Sequence, residues 1–263
     1  MTVVLTQPGV RAVLDPVHGG RLASLTVHGH ELLVASGAGP TEWGCFPMVP
    51  WAGRVGNGRF EWSDRVHQLP RYLPPHALHG TVFSTPWERV GDASIQSTLG
   101  PDWPWPGTVR SDLELTQDSL LWRMTVSANS SPFPCVMGWH PWFRRRLSDR
   151  GAVAVQFDAA EMYERGPNGL PTGRRVPPSS GPWDDCFTAV QANPRLVWPE
   201  GIAVDIESTC AHWVVYDEPE HAVCIEPQSA PPDAFNLGGC AVARPGQPVV
   251  HTMRLRWTAS REA

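Results

Sequence analysis

The chain has 263 residues with 21 basic and 26 acidic side chains, a formal charge of −5 at pH 7, and every one of the basic residues is Arg. Without lysine no Schiff base can form on a side-chain amine, which excludes pyridoxal-phosphate enzymes and lysine aldolases, and a standard phosphate-loop nucleotide triphosphatase is excluded too. The mild negative charge argues against a nucleic-acid partner, which would call for a basic patch.

Apolar and polar residues alternate through Val3-Val4-Leu5, Val10–Leu14, Leu22–Val27 and Leu32–Val34. Gly19-Gly20 and His28-Gly29-His30 separate the last three of these as hairpin turns would. The rhythm returns at Phe60–Leu69, Val109–Leu115, Leu120–Val126, Val153–Phe157 and Ile202–Ile206, and closes with Trp213–Tyr216, Val223–Ile225 and Val249–Trp257. No stretch of about 12 residues keeps a helical period. The 24 Gly and 28 Pro are scattered as punctuation, which suits many short strands. The expectation is therefore all-β, an antiparallel sandwich or barrel, in a single domain over residues 1–263.

Segments 36–58, 70–80, 100–107, 128–134, 164–186 and 227–247 read as long loops, where a rigid sheet usually mounts its binding groups. No run approaches the ~18 apolar residues of a membrane helix, so no membrane partner is expected. Met1–Arg11 lacks a basic segment followed by an apolar run, so no signal peptide is expected. Cys45, Cys135, Cys186, Cys210, Cys224 and Cys240 stand at least 14 positions apart, which predicts reduced thiols in a cytoplasmic protein.

Ionisable side chains meet turn residues and aromatics in five places: Pro50–Arg54, Leu78–Gly80, Gly138–Phe143, Trp183–Phe187 and Cys224–Gln228. His140 stands between two tryptophans and before a proline that holds it extended. It suits proton transfer near neutral pH, and it equally suits a packed, hydrogen-bonded histidine at a strand end. Glu226 follows the apolar run Val223–Ile225, so it is either a partly desolvated base or a strand-end carboxylate in solvent. Trp51, Trp139, Trp142 and Trp183 lie beside these polar groups, an arrangement suited to stacking on the apolar face of a sugar ring.

His76 with His79, and His28 with His30, offer pairs only, and no three-ligand set is visible, so no metal is expected. There is no nucleophile elbow for a serine hydrolase. Arg144-Arg145-Arg146 reads as a solvated charge patch.

Taken in order, five segments resemble the aldose 1-epimerase (galactose mutarotase-like) family, with a match through most of the chain. The opening hairpin around His18–Leu33 is similar to the family's, as is the arginine segment Pro50–Phe60 followed by Leu78-His79-Gly80. His140-Pro141-Trp142-Phe143 resembles its histidine segment, and Asp184-Asp185-Cys186-Phe187 its aspartate segment. Glu226-Pro227-Gln228, with Pro232–Asn236, resembles its glutamate segment.

The resemblance implies a large twisted β-sandwich that interconverts the anomers of a free aldose without a cofactor. Glu226 would take the proton of the C1 hydroxyl and His140 would protonate the ring oxygen. Arg54 and His79 would hold the nearby oxygens, and Asp184 and Gln228 the remote hydroxyls. Trp51 and Trp139 are expected at the sugar site. Gly53 departs from the family's usual Asn before the arginine, and Trp142 and Asp185 from its frequent Tyr and His. The alternatives are a catalytically silent sugar binder and a hexose-6-phosphate 1-epimerase, for which Arg59 and Arg144 are the free cations in view.

Overall fold

The computed structural model describes residues 2–259; Met1 and residues 260–263 of the expected 1–263 domain lie outside the described residues. Alternation builds one sheet directly. In Gly107–Leu115 the residues Val109, Ser111 and Leu113 are buried while Arg110 and Glu114 are exposed. That strand pairs along its length with Ser119–Ala128, which in turn pairs with Val249–Ala259. Eight strands join in this antiparallel sheet, in the order Glu88–Arg89, Ser94–Thr98, Gly107–Leu115, Ser119–Ala128, Val249–Ala259, Ile202–Ser208, Arg195–Val197 and Ala154–Gln156. One face is solvated and one is packed, the usual state of an antiparallel sheet.

The other sheet has eleven strands. Its main path runs Val3–Gln7, Val10–Asp15, Arg21–Val27, Cys45–Met48, Gly138–Arg144, Ala222–Gln228, His212–Tyr216, Asp184–Val190, Ala159–Arg165 and Pro171–Val176. His30–Glu31 hangs on Arg21–Val27. Leu25, Trp139, Phe143 and Ile225 of this sheet share a core cluster with Trp122, Met124, Val204 and Leu255 of the other. The architecture is an all-β, antiparallel sandwich.

The middle of the large sheet breaks the alternation. Cys45–Met48 and Ala222–Gln228 are buried at every position, and Gly138–Arg144 at every position but the last. One face meets the sandwich core and the other lies beneath loops, so both faces favour residues that tolerate burial. Cys45–Met48, expected within the loop 36–58, is for that reason a strand, and Pro171–Val176 within 164–186 is a mostly exposed strand at the sheet's end. Within 227–247 the short strand Ala241–Ala243 pairs with Phe133–Cys135, and Ala234–Leu237 makes one helical turn. Leu32–Val34 is not a hairpin strand. Leu33 bridges Phe143, and the Val34 N–H donates to the Trp142 carbonyl at 2.9 Å, so the segment lies against Gly138–Arg144.

Arg21 anchors the segment that leaves this sheet. It is fully buried, and its guanidinium donates to the carbonyls of His18 (2.6 Å), Trp43 (2.8 Å), Pro40 (2.7 Å) and Phe83 (3.0 Å) while lying 4.1 Å over the Trp43 ring. Burial lowers its pKa to about 10. Arg21→Ala would strand four carbonyls, so a loss of about 3 kcal/mol is expected in urea unfolding. Arg21→Lys, with three donors and no planar fork, should recover part of it. An unchanged unfolding midpoint for Arg21→Ala would contradict the anchoring role.

Candidate active site

Strand register gathers the chemistry. His140 pairs with Phe46, Glu226 with Val214, and Val214 with Cys186. Between Gly138–Arg144 and Ala222–Gln228 the pairs Gly138–Gln228 and Trp142–Cys224 bracket His140 opposite Glu226. One lateral row of the sheet thus reads Phe46, His140, Glu226, Val214, Cys186. The next row on the same face reads Trp142, Cys224, Tyr216, Asp184, because residues two apart on a strand share a face. The ladder is open at the acid–base pair: Pro141 and Pro227 flank it, and neither has an N–H to give.

Above these rows lies a cavity of about 960 Å³, lined by Arg54, His79, His140, Asp184, Glu226 and Gln228 together with Trp142, Tyr163, Arg165 and Tyr216. Its size suits a small ligand. Glu226 and His140 are 2 % and 5 % exposed. Oε1 of Glu226 is 3.2 Å from Nε2 of His140, and Oε2 accepts from Nε2 of Gln228 at 3.1 Å. Burial pushes the His140 imidazole down to about 3. Burial, with Asp184 adding, holds the Glu226 carboxyl well above the usual carboxylate range, against the Gln228 hydrogen bond and Arg54.

Both shifts favour the uncharged forms, so the pair holds one proton. The resting form is a neutral carboxyl beside a neutral imidazole. Moving that proton across the 3.2 Å gap would leave a carboxylate beside an imidazolium.

His140 is held in a sandwich. Phe46 stacks on one side with ring centroids 4.8 Å apart, and Trp142 on the other at 5.4 Å with only 8° between planes. His79 meets His140 edge-on at 5.0 Å. His79 sits at a left-handed φ of 58°, its N–H donating to the Gly53 carbonyl at 2.9 Å. Burial, then His140 and Arg54, lower its pKa well below the ordinary value, which leaves its imidazole neutral.

Arg54 pairs with Asp184 at 3.0 Å, across the cavity wall. Arg54 reaches this place because Asp233 braces its segment. The Asp233 N–H donates to the Arg54 carbonyl (2.7 Å), and its Oδ1 accepts from Gly56 N–H (2.8 Å) and Asn236 Nδ2 (2.7 Å). Gly53, with φ +65°, lines the cavity against Pro232; a Cβ there would come within 2.8 Å of that ring.

Two expected sugar contacts lie elsewhere. Trp139 neighbours His140 on the strand and so points to the opposite face, where it meets Trp122 edge-on in the core. Trp51 packs against Trp103 in the same core, 2 % exposed. Neither lines the cavity. Trp183 packs on Phe157 and Phe187 outside it. Trp142 does line it, but its faces are covered by His140 and by His221 at 5.9 Å and 15°, so its indole orients an imidazole instead of a sugar ring.

Tyr163 and Arg165, which no motif in the sequence marks, reach the cavity from the strand Ala159–Arg165, with Arg165 Nε 3.1 Å from Asp185 Oδ1. Nor did it reveal that His140, Cys224 and Glu226 bring three potential metal-ligating atoms within 4.8 Å of one another, because two neighbouring strands supply them. His76 is committed elsewhere: Nδ1 accepts from the Asn57 N–H and Nε2 donates to the Asn168 carbonyl, both at 3.1 Å. Arg145, in the expected charge patch, instead donates to the carbonyls of Asp217 (2.6 Å), Pro219 and Ala222 (3.1 Å each), fixing the turn whose Glu218 and Pro219 border the cavity.

Comparison with known proteins gives a family match over nearly the whole chain. A family model described as aldose 1-epimerase matches residues 1–256. An uncharacterised protein of Escherichia coli K12, YphB, is 27% identical over 244 residues, 82% of this chain and 84% of that protein. A galactose mutarotase-like protein from Clostridium acetobutylicum superposes with a TM-score of 0.85 at 15% identity, over 98% of this chain and 95% of the other. An aldose epimerase homologue from C. elegans gives 0.81 at 16% identity, over 99% of each chain. At these identities the solved structures speak for the fold. Among the described residues no helix is long and apolar enough to cross a membrane.

Proposed function

Because the chain belongs to the aldose 1-epimerase family, we propose that it interconverts the α and β anomers of a free, uncharged aldose by ring opening and reclosure. The observation that carries this reading is the buried Glu226–His140 pair, 3.2 Å apart on the cavity wall. With the shared proton on His140, the Glu226 carboxylate accepts the proton of the C1 hydroxyl while the imidazolium donates to the ring oxygen. The C1–O5 bond breaks and C1 becomes an aldehyde. Rotation about C1–C2 presents the other carbonyl face, and the same transfers in reverse close the opposite anomer. Each group ends as it began, and the steps consist of proton transfers alone.

In this scheme Arg54 and His79 hold the oxygens near C1, and Asp184 and Gln228 take hydroxyl donors further along the ring. Phe46 and Trp142 fix the plane of His140 and favour its cationic form by their π faces. The wall supports an uncharged substrate. Arg54 and Arg165 are each committed to a carboxylate, and Glu42 and Glu218 add negative charge, so no lining arginine is left over for a phosphate. Arg59 and Arg144 do not line the cavity.

Exchange spectroscopy on the anomeric protons of glucose and galactose should show acceleration by catalytic amounts of protein, with glucose 6-phosphate at least about tenfold slower, as a like-charge mismatch of over 1 kcal/mol implies. No acceleration with several aldoses would defeat the proposal. Sugar affinity by calorimetry without exchange would establish the silent binder in its place. A binder, however, has no use for a buried proton pair that is costly to desolvate.

A further inference from the structure

We infer that His140, Cys224 and Glu226 form a binding site for one thiophilic divalent cation, Zn²⁺ being the natural probe, and that its occupation shuts the acid–base pair off. The binding half stands on geometry alone; the shut-off rests on the proposed epimerase reading of Glu226 and His140.

Cys224 precedes Glu226 by two residues on one strand, so both side chains share the face that carries His140 on the next strand. The imidazole nitrogen, thiol sulfur and carboxylate oxygen all lie within 4.8 Å of one another, and all three residues are buried. Zinc bonds of about 2.3 Å to sulfur and about 2.0 Å to nitrogen or oxygen place tetrahedral ligands roughly 3.5 Å apart, so side-chain rotations of about an ångström suffice. A thiolate with an imidazole and a carboxylate selects zinc over magnesium or calcium. His140 and Glu226 line the cavity while Cys224 lies behind them, which leaves the fourth position open to water or a sugar hydroxyl.

Binding must displace two protons, one from the Cys224 thiol and one shared by Glu226 and His140. Burial and the neighbouring Glu226, Cys45 and Asp184 hold that thiol protonated; Arg145 opposes them, and Arg54 acts on Glu226. Metal binding then removes both the base and the transferable proton from the pair. Other thiols do not compete. Cys45 pairs with Pro141, one residue out of phase with His140, and belongs to the sandwich core. Cys186 lies two strands from Glu226 in the same row, roughly 10 Å away.

The test is a Zn²⁺ titration of the whole chain by calorimetry in buffers of different ionisation enthalpy, with Co²⁺ as the spectroscopic probe. One ion per chain, about two protons released and a thiolate-to-cobalt charge-transfer band are expected. Cys224→Ala should abolish the band and weaken Zn²⁺ binding by more than the about 10–100-fold that losing an outer-shell partner costs. It should keep metal-free anomer exchange and lose its zinc inhibition, while Cys186→Ala keeps wild-type zinc affinity. Should Cys224→Ala fail to fold, the wild-type cobalt spectrum and the lost affinity of Glu226→Gln decide. Zinc affinity indifferent to Cys224, or cobalt binding without a thiolate band, overturns the site. Zinc binding in a protein without anomer exchange would overturn the epimerase reading and leave the metal site standing.

Discussion

Glu226→Gln is expected to lower anomer exchange by about 10²–10⁴-fold, the usual loss on removing a general base, and to raise the melting temperature at alkaline pH. The two effects have one cause. Gln keeps the size of Glu, and its carbonyl can still accept from Gln228, so packing is preserved. The buried carboxyl resists ionisation in the folded protein. In the unfolded chain it ionises near its usual pKa of about 4.3. Since the folded value is raised, the group's contribution to stability is intact below that pH and is lost as pH rises towards the folded value. Gln has nothing to ionise and avoids the loss. A gain of ~1 kcal/mol would lift the melting temperature of a chain this size by about 2–4 °C at pH 8. At pH 4, where the carboxyl is protonated in both states, no gain is expected. Retained exchange would remove Glu226 as the base. Lost exchange with a lower melting temperature at pH 8 would trace the defect to packing.

The fold was legible wherever one face of a strand meets water. Gly107–Leu115 and Ser119–Ala128 alternate so regularly that their pairing can be read from the text. Cys45–Met48 shows no alternation, and a proline sits inside it, so it reads as loop. The missing alternation follows from its place between two buried faces, at the edge of the site. His140 and Glu226 were found by residue type and family resemblance, but as strand-end groups. Their position in mid-strand, at a ladder opened by Pro141 and Pro227, depends on register between segments far apart in sequence.

The tryptophans show the complementary failure. Nearness to His140 in sequence suggests a sugar contact for Trp139, but in a strand that nearness guarantees the opposite face. Trp142, two residues on, is the one that reaches the cavity, and its faces are already taken by imidazoles. Proximity along a chain is a guide to function in loops and misleads by one residue in strands. Gly53 was visible only as a departure from the family; its consequence needed Pro232, which approaches from a segment nearly 180 positions away.

His140→Gln is expected to lose about as much anomer exchange as Glu226→Gln, because the pair works as a unit around one proton, and its pH behaviour should be the mirror image. An isolated imidazole acting as the acid would give kcat/KM an alkaline limb near pH 6.5. Here burial has moved His140 to about 3, so activity should stay level through that region. It should fall only towards pH 3, where the pair gains a second proton, and on the alkaline side, where Glu226 gives up the shared one. Stability follows the same count. Because the folded value of His140 is lowered, its contribution is present above the unfolded pKa of about 6.5 and is lost as pH falls towards about 3. Relative to the wild type, His140→Gln therefore gains at acid pH and Glu226→Gln at alkaline pH. Between about pH 4.3 and 6.5 the unfolded chain carries one proton on these two residues, as the folded pair does, so the pair should leave wild-type stability level there. Melting curves of the three proteins across pH 4–9 read this directly. Variants that gain at the same end of the range, or a wild-type profile bounded by an acid limb near pH 4.3 and an alkaline limb near 6.5, would mean that the two residues titrate independently and that no proton is shared between them.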